Sequence, residues 1–191
     1  MKSVTTRIPA EESGLVARLT LDEKVRLLTG ADSWHVHGIE SIGLRPMVMS
    51  DGPAGVRGTR FDPAHPSSSL PCPIGLGATW DDDLIERLAR ALAEEARAKH
   101  IDIILGPTVN IVRTPLSGRG FECLSEDPLL TTRIAVGYVR GVQAAGVAAT
   151  VKHYVGNDSE TERRTYDARI SETVLRACLL YTSDAADDLT R

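Results

Sequence analysis

Two residues with side chains suited to chemistry stand together at the end of a short apolar run. Lys152 and His153 close the stretch Ala149-Thr150-Val151, and Gly156, Asn157 and Asp158 follow directly. A lysine on an open surface can sit anywhere, whereas one placed where a buried strand surfaces is held and aimed at something. Two other apolar runs end in comparable sets. Asp51 and Arg57 follow Met47 to Met49, and Asn110, Arg113 and Arg119 follow Ile101 to Leu105.

The ligand that such sets would suit can be narrowed by chemistry. A phosphate would favour a glycine-rich loop opening a helix, and neither G-x-G-x-x-G nor G-x-x-x-x-G-K-[ST] occurs. A metal would want His, Asp or Glu at ligand spacing, but the five histidines are dispersed and H-E-x-x-H is missing. A sugar presents several hydroxyls that each donate and accept. It is best held by a carboxylate that accepts beside Arg, Lys and His that donate. Asp51 with Arg119, Lys152 and His153 makes that mixed set.

Composition agrees with one soluble globular domain: 191 residues, 42% hydrophobic and 25% charged, with a formal net charge of -4. Acids and bases are interspersed, so no basic field speaks for a nucleic-acid partner. No apolar stretch approaches the roughly 18 residues of a membrane span, and no basic start precedes an apolar run, so no membrane partner and a cytoplasmic location are expected. Cys72, Cys123 and Cys178 are an odd number at unrelated spacings, which suits reduced thiols rather than a disulfide framework.

The elements that must position the polar sets can be read from pattern. Thr20 with Glu23 predicts a capped helix that stops by Gly30. Met47 to Met49 is a strand that breaks into Asp51-Gly52-Pro53, and Pro63 to Pro73 is a loop without periodicity. Leu84, Leu88 and Leu92 predict a helix after Thr79. Ile101 to Leu105, stopped by Gly106-Pro107, reads as a strand buried on both faces. Asp127 caps a helix with Pro128 at its first position and Leu130, Ile134, Tyr138 and Val142 along one side. "GVAATVKHY" is the next strand. Strand, helix, strand, helix, strand implies a parallel sheet, open or closed into a barrel. In either form ligands bind beyond the C-terminal strand ends, where all three polar sets fall.

Four segments then resemble glycoside hydrolase family 3: "LTLDEKVRLLTG", "LTGADSWHVHGIESIGLRPMVMSDGPAGVRG", "GPTVNIVRTPLSGRGFECLSEDP" and "VKHYVGNDSETER". They stand in family order and cover nearly everything from Leu19 to Ala177. The resemblance implies a (β/α)8 TIM barrel, of which this chain would hold the first three βα units, and a retaining exo-acting β-glucosidase that needs no cofactor or metal. Its partner would be a β-glycoside or oligosaccharide. By the resemblance, Asp51 of "DGP", Arg57 of "GVR", Arg119 of "GRGFE" and the pair Lys152-His153 would hold the non-reducing-end sugar. Structural readings stand beside these: an ion pair for Asp51 and Arg57, a salt bridge from Arg119 to Glu122 or Glu126, an incidental rim pair for Lys152 and His153, and loop scaffolding for Asn110 and Arg113. Trp34 and Trp80 are expected to pack against the barrel. A β-xylosidase of the same family and a non-catalytic sugar-binding or interaction protein are the competing functions.

The expected organisation is an N-terminal extension over residues 1–18, the partial barrel domain over 19–177, and a tail over 178–191. Cys178 to Asp188 can be encoded by a common transposase sequencing adapter, so that tail is expected to be read-through. The resemblance implies a nucleophile Asp on a later barrel strand, in a Ser-Asp-Trp-like tripeptide, and an acid/base further on; neither is recognisable here, and a (β/α)8 barrel takes about 250 residues, so both are expected outside this chain. Ser183-Asp184-Ala185 imitates a nucleophile motif but has no buried strand leading into it. One geometric expectation also follows. Successive strand residues point to opposite faces, so Lys152 and His153 reach one ligand only if a bulge or a non-proline cis peptide interrupts the pleat, at Lys152-His153 or His153-Tyr154.

Overall fold

The computed structural model describes residues 10–60, 63–180 and 182. The chain divides between Val48 and Met49 into two compact units.

In the first unit, α1 (Ala10–Arg18) precedes α2 (Leu21–Leu27). The predicted capping box opens α2: Glu23 N–H donates to Thr20 Oγ1 at 3.2 Å, and Thr20 N–H donates to Glu23 Oε2 at 2.8 Å. Helix α1 lies where only an extension was expected. A two-residue strand, β1 (His35–Val36), pairs antiparallel with Met47 and Val48, the start of β2 (Met47–Asp51). Two residues are too few to leave a period-2 signature, so β1 has no sequence signal.

The second unit is α/β. The last three residues of β2 pair parallel with β3 (Ile103–Leu105), which pairs parallel with β4 (Ala148–Ala149). The β2–β3 connection carries α3 (Pro73–Gly77) and α4 (Asp82–Ala98), and the β3–β4 connection carries α5 (Pro128–Ala144). The predicted alternation is therefore present. Within β3 only Ile104 is buried, at 1% exposure, while Ile103 and Leu105 are partly exposed. Alternate residues face opposite sides, so one face is covered and the expected double burial does not occur.

Helices α4 and α5 form the core layer. Asp81 Oδ1 accepts from Leu84 N–H at 2.8 Å, and Asp127 Oδ1 accepts from Leu130 N–H at 2.9 Å with Pro128 in the first turn. Ile134, Tyr138 and Val142 are buried on α5 as expected, Leu130 only partly. On α4 the buried stripe is Ile85, Ala89, Leu92, Ala93 and Ala96, with Leu84 and Leu88 at its margin. The stripe is shifted because α5 presents glycines to it. A Cβ on Gly141 would lie 2.2 Å from Glu86 O and 2.9 Å from Ala89 Cβ, and one on Gly137 2.6 Å from Asp82 O. Backbones approach that closely only over small residues, which favours alanines over leucines at the contact.

Trp80 corrects another expectation. It is 75% exposed, because the left-handed turn it makes between α3 and α4 (φ 57°) leaves its indole outside. Trp34 is half-buried. Ser171 caps α6 (Glu172–Val174), and the chain stays helical in π-type turns from Leu175 to Leu180. All three cysteines are free. Asp184 and the rest of 183–191 lie outside the described residues.

Candidate functional site

Asp51 ends β2, and the turn that follows can be made only by glycine. Gly52 has φ 121°, and a Cβ there would lie 1.7 Å from Gly55 O. The strand end is tied down from behind. Buried Ser50 Oγ accepts from Gly58 N–H and donates to Asp51 O, both at 2.8 Å, while Arg57 N–H donates to Asp51 O at 3.1 Å. The loop beyond is anchored to α4: Lys99 Nζ donates to Val56 O at 3.2 Å, Pro66 O at 3.1 Å and Ser67 Oγ at 2.5 Å. Glu95 pairs with Lys99 at 2.9 Å and accepts from Ser68 N–H.

Lys152 reaches Asp51 across the sheet, Nζ to Oδ1 at 2.8 Å. Partial burial pushes the Asp51 carboxyl up, but the hydrogen bond and charge of Lys152, with the Gly52 N–H and the Arg57 charge, outweigh it and hold the group below the usual carboxylate range. The backbone around Lys152 continues the parallel pairing: its N–H donates to Pro107 O at 2.9 Å and its carbonyl accepts from Val109 N–H at 2.7 Å. The Lys152–His153 peptide is cis, as is Tyr154–Val155. One of the two geometries expected for an interrupted pleat is thus present at Lys152–His153, one of the two bonds where it was expected.

His153 lies in a second, continuous polar set. Its N–H and its Nδ1 both meet Asn110 Oδ1, at 3.0 and 2.8 Å, and Arg119 Nη2 lies 3.1 Å from its Nε2. Asn110, only 5% exposed, donates from Nδ2 to Asp158 Oδ1 at 3.1 Å, and Arg113 Nε donates to Asp158 Oδ2 at 2.9 Å. Arg119 also pairs through Nε with Glu122 and through Nη1 with Glu160 at 3.5 Å. Its hydrogen bond to Glu122 outweighs burial and raises the guanidinium pKa further. Burial and the charges of Arg119 and Lys152 hold the His153 imidazole below its ordinary value, against Glu122 and Asp51.

The structure therefore pairs Asp51 with Lys152 and His153 with Arg119, two polar sets joined through the Lys152–His153 peptide. Arg57 is exposed beside them, acting on Asp51 through charge and backbone. Of the two acids offered as partners for Arg119, Glu122 is one, while Glu126 is exposed and the second partner is Glu160. Asn110 and Arg113 are scaffolding as read, but for the site itself. Asp158, which joins them, had only its place after a strand to mark it. Beneath the rim, buried Tyr138 donates to Pro53 O at 3.3 Å, and burial with the nearby Asp51 charge raises its hydroxyl pKa. Burial, then the charges of Glu122 and Asp158, push the Cys123 thiol up to about 11, so it is an inert packing group.

Residues 27–182 match the model of the glycosyl hydrolase family 3 N terminal domain. The chain belongs to glycosyl hydrolase family 3. It is 48% identical over 166 residues to a probable beta-glucosidase J of Aspergillus fumigatus, covering 87% of this chain and 19% of that protein. A solved beta-glucosidase of Kluyveromyces marxianus in complex with glucose superimposes with a TM-score of 0.80 at 42% identity, covering 92% of this chain and 21% of that one. Beta-glucosidase 3B of Thermotoga neapolitana in complex with alpha-D-glucose gives a TM-score of 0.80 at 36% identity, covering 92% and 27%. The chain spans about a fifth of the length of the curated relatives it matches.

Proposed function

We propose that this chain forms the sugar-gripping rim of a retaining β-glucosidase, built on the first three βα units of a (β/α)8 barrel. Asp51, Arg57, Arg119, Lys152 and His153 hold a terminal non-reducing β-D-glucosyl residue. Asp51 accepts from adjacent hydroxyls, and Lys152 and Arg119 donate. The observation that carries this reading is the two polar sets, Asp51 with Lys152 and His153 with Arg119, joined through the Lys152–His153 peptide at the C-terminal ends of neighbouring parallel strands. Glucose in the solved structures of two relatives supports the ligand class.

The same contacts support binding rather than bond cleavage by these residues. Retaining hydrolysis needs one carboxylate free to attack and a second to carry a proton, about 5 to 5.5 Å apart. Asp51, Glu122, Glu160 and Asp158 are each paired with a cation. Nucleophile and acid/base are therefore assigned to residues other than these, and the chain by itself is expected to bind glucose without hydrolysing an aryl β-glucoside. Amide chemical-shift mapping during titration with D-glucose and D-xylose tests the reading. Glucose should perturb residues around Asp51, Arg119 and Lys152 more strongly than xylose does. A footprint elsewhere, or turnover that Asp184→Asn abolishes, contradicts it.

A further inference from the structure

The contacts of His153 define its protonation state. Asp158 can only accept, and the His153 backbone N–H can only donate, so Asn110 has one amide orientation, with Nδ2 on the carboxylate and Oδ1 on His153. That carbonyl oxygen, 2.8 Å from Nδ1, requires a proton on Nδ1. At the other end of the ring, Arg119 Nη2 has only protons to offer, so Nε2 must present its lone pair. Burial of Asn110 at 5% exposure, with Arg113 clamping the far oxygen of Asp158, leaves no room for a swap.

We propose that Asn110 is a positioning residue that fixes His153 as the neutral Nδ1–H tautomer, making Nε2 an obligate acceptor for one hydroxyl of the bound sugar. The hydroxyl role rests on the sugar-binding function proposed above. A sugar hydroxyl takes the place of Arg119 Nη2 at Nε2: the 3.1 Å contact opens, and the hydroxyl donates to Nε2 while it accepts from the displaced guanidinium. A fluorine in its place can accept but not donate, and a charged imidazole would present a proton where the lone pair is needed. Charged groups around the ring oppose one another: Arg119 and Lys152 disfavour a second proton, while Glu122 and Asp51 favour it. Asp158 and Glu160 stand behind Asn110 and Arg119.

Long-range 1H–15N spectra of the 15N-labelled chain test this, with the ring signals assigned by their loss in His153→Gln. At neutral pH the wild-type ring should give the Nδ1–H pattern, and an Nε2–H or imidazolium pattern overturns the proposal. In Asn110→Ala the single tautomer should be lost while amide dispersion stays folded; retention of the Nδ1–H form contradicts the role of Asn110. If Asn110→Ala does not fold, Asn110→Asp decides: a carboxylate against Nδ1 should raise the ring's midpoint by about one pH unit or more, and an unmoved midpoint overturns the proposal. Saturating D-glucose should shift Nε2 and leave Nδ1 protonated, and one singly fluorinated glucose should lose that effect. A wrong tautomer with intact glucose binding removes this inference alone. If glucose perturbs nothing near Asp51, Arg119 and Lys152, the proposed function fails, and the hydroxyl assignment with it.

Discussion

The α4–α5 layer and the rim above the strand ends are built on opposite principles. The helices meet through alanines and glycines, where what matters is the absence of side chain, and the contact is backbone against backbone. The rim is joined through side-chain pairs between distant segments: Asp51 with Lys152, Asn110 with His153, Arg119 with Glu160. Packing of the first kind tolerates no added volume, whereas pairing of the second kind tolerates shape changes but not changes of charge or proton position.

Adding volume to the helix layer is the severest way to break that contrast. Gly141→Ala drives a methyl against Glu86 O, which the α4 backbone cannot yield cheaply, and should cost about 3 kcal/mol in denaturant unfolding. A change under 0.5 kcal/mol would mean the helices are free to separate. Next comes the link between layer and rim. Lys99→Met leaves the Val56 and Pro66 carbonyls and Glu95 without their cation, at a cost of about 2 kcal/mol. It should also loosen the loop that carries Arg57, read as faster amide exchange over residues 54–58.

A third test separates the rim's imidazole from its carboxylates by pH. The His153 imidazole is held below its ordinary value, so the folded chain binds fewer protons there than the unfolded one, and stability should fall as pH drops below about 6.5. The Asp51 and Glu95 carboxyls are also depressed: burial opposes ionisation, but Lys152 and Lys99 outweigh it. Their contribution is present above the unfolded values near 4 and is lost as pH falls through the folded ones. His153→Gln should abolish the loss that sets in below about pH 6.5 and leave the loss below about pH 4. An unchanged upper limb would contradict the neutral imidazole. The smallest effect belongs to a pair in neither region: Arg169→Gln, at an exposed contact with Asp167, should leave the denaturation midpoint where it was.

The contrast also explains what the sequence disclosed. The caps at Thr20 and Asp127, the helices α4 and α5, and the order of the parallel strands are local patterns, and each was readable. The α4 stripe was displaced because the row of leucines is more conspicuous than alanines whose value depends on glycines in α5. For the rim, residue types named Asp51, Arg119, Lys152 and His153, but their partners were not deducible. Asp51 and Lys152 stand 101 positions apart, and Asn110 and His153 stand 43 apart. Spacing within reach of one turn exposed only the Arg119–Glu122 pair. Asp158 stayed hidden because its role exists only once the segments after β3 and β4 are adjacent.

The proposed function rests on the rim's polar chain gripping a sugar. Calorimetric titration of the chain with D-glucose, alongside Asp51→Asn, tests it most directly. The variant exchanges one acceptor oxygen for a donor and weakens the tie to Lys152, so glucose affinity should fall about tenfold or more. Equal affinity in the two proteins, or no binding by the unaltered chain, would contradict the claim.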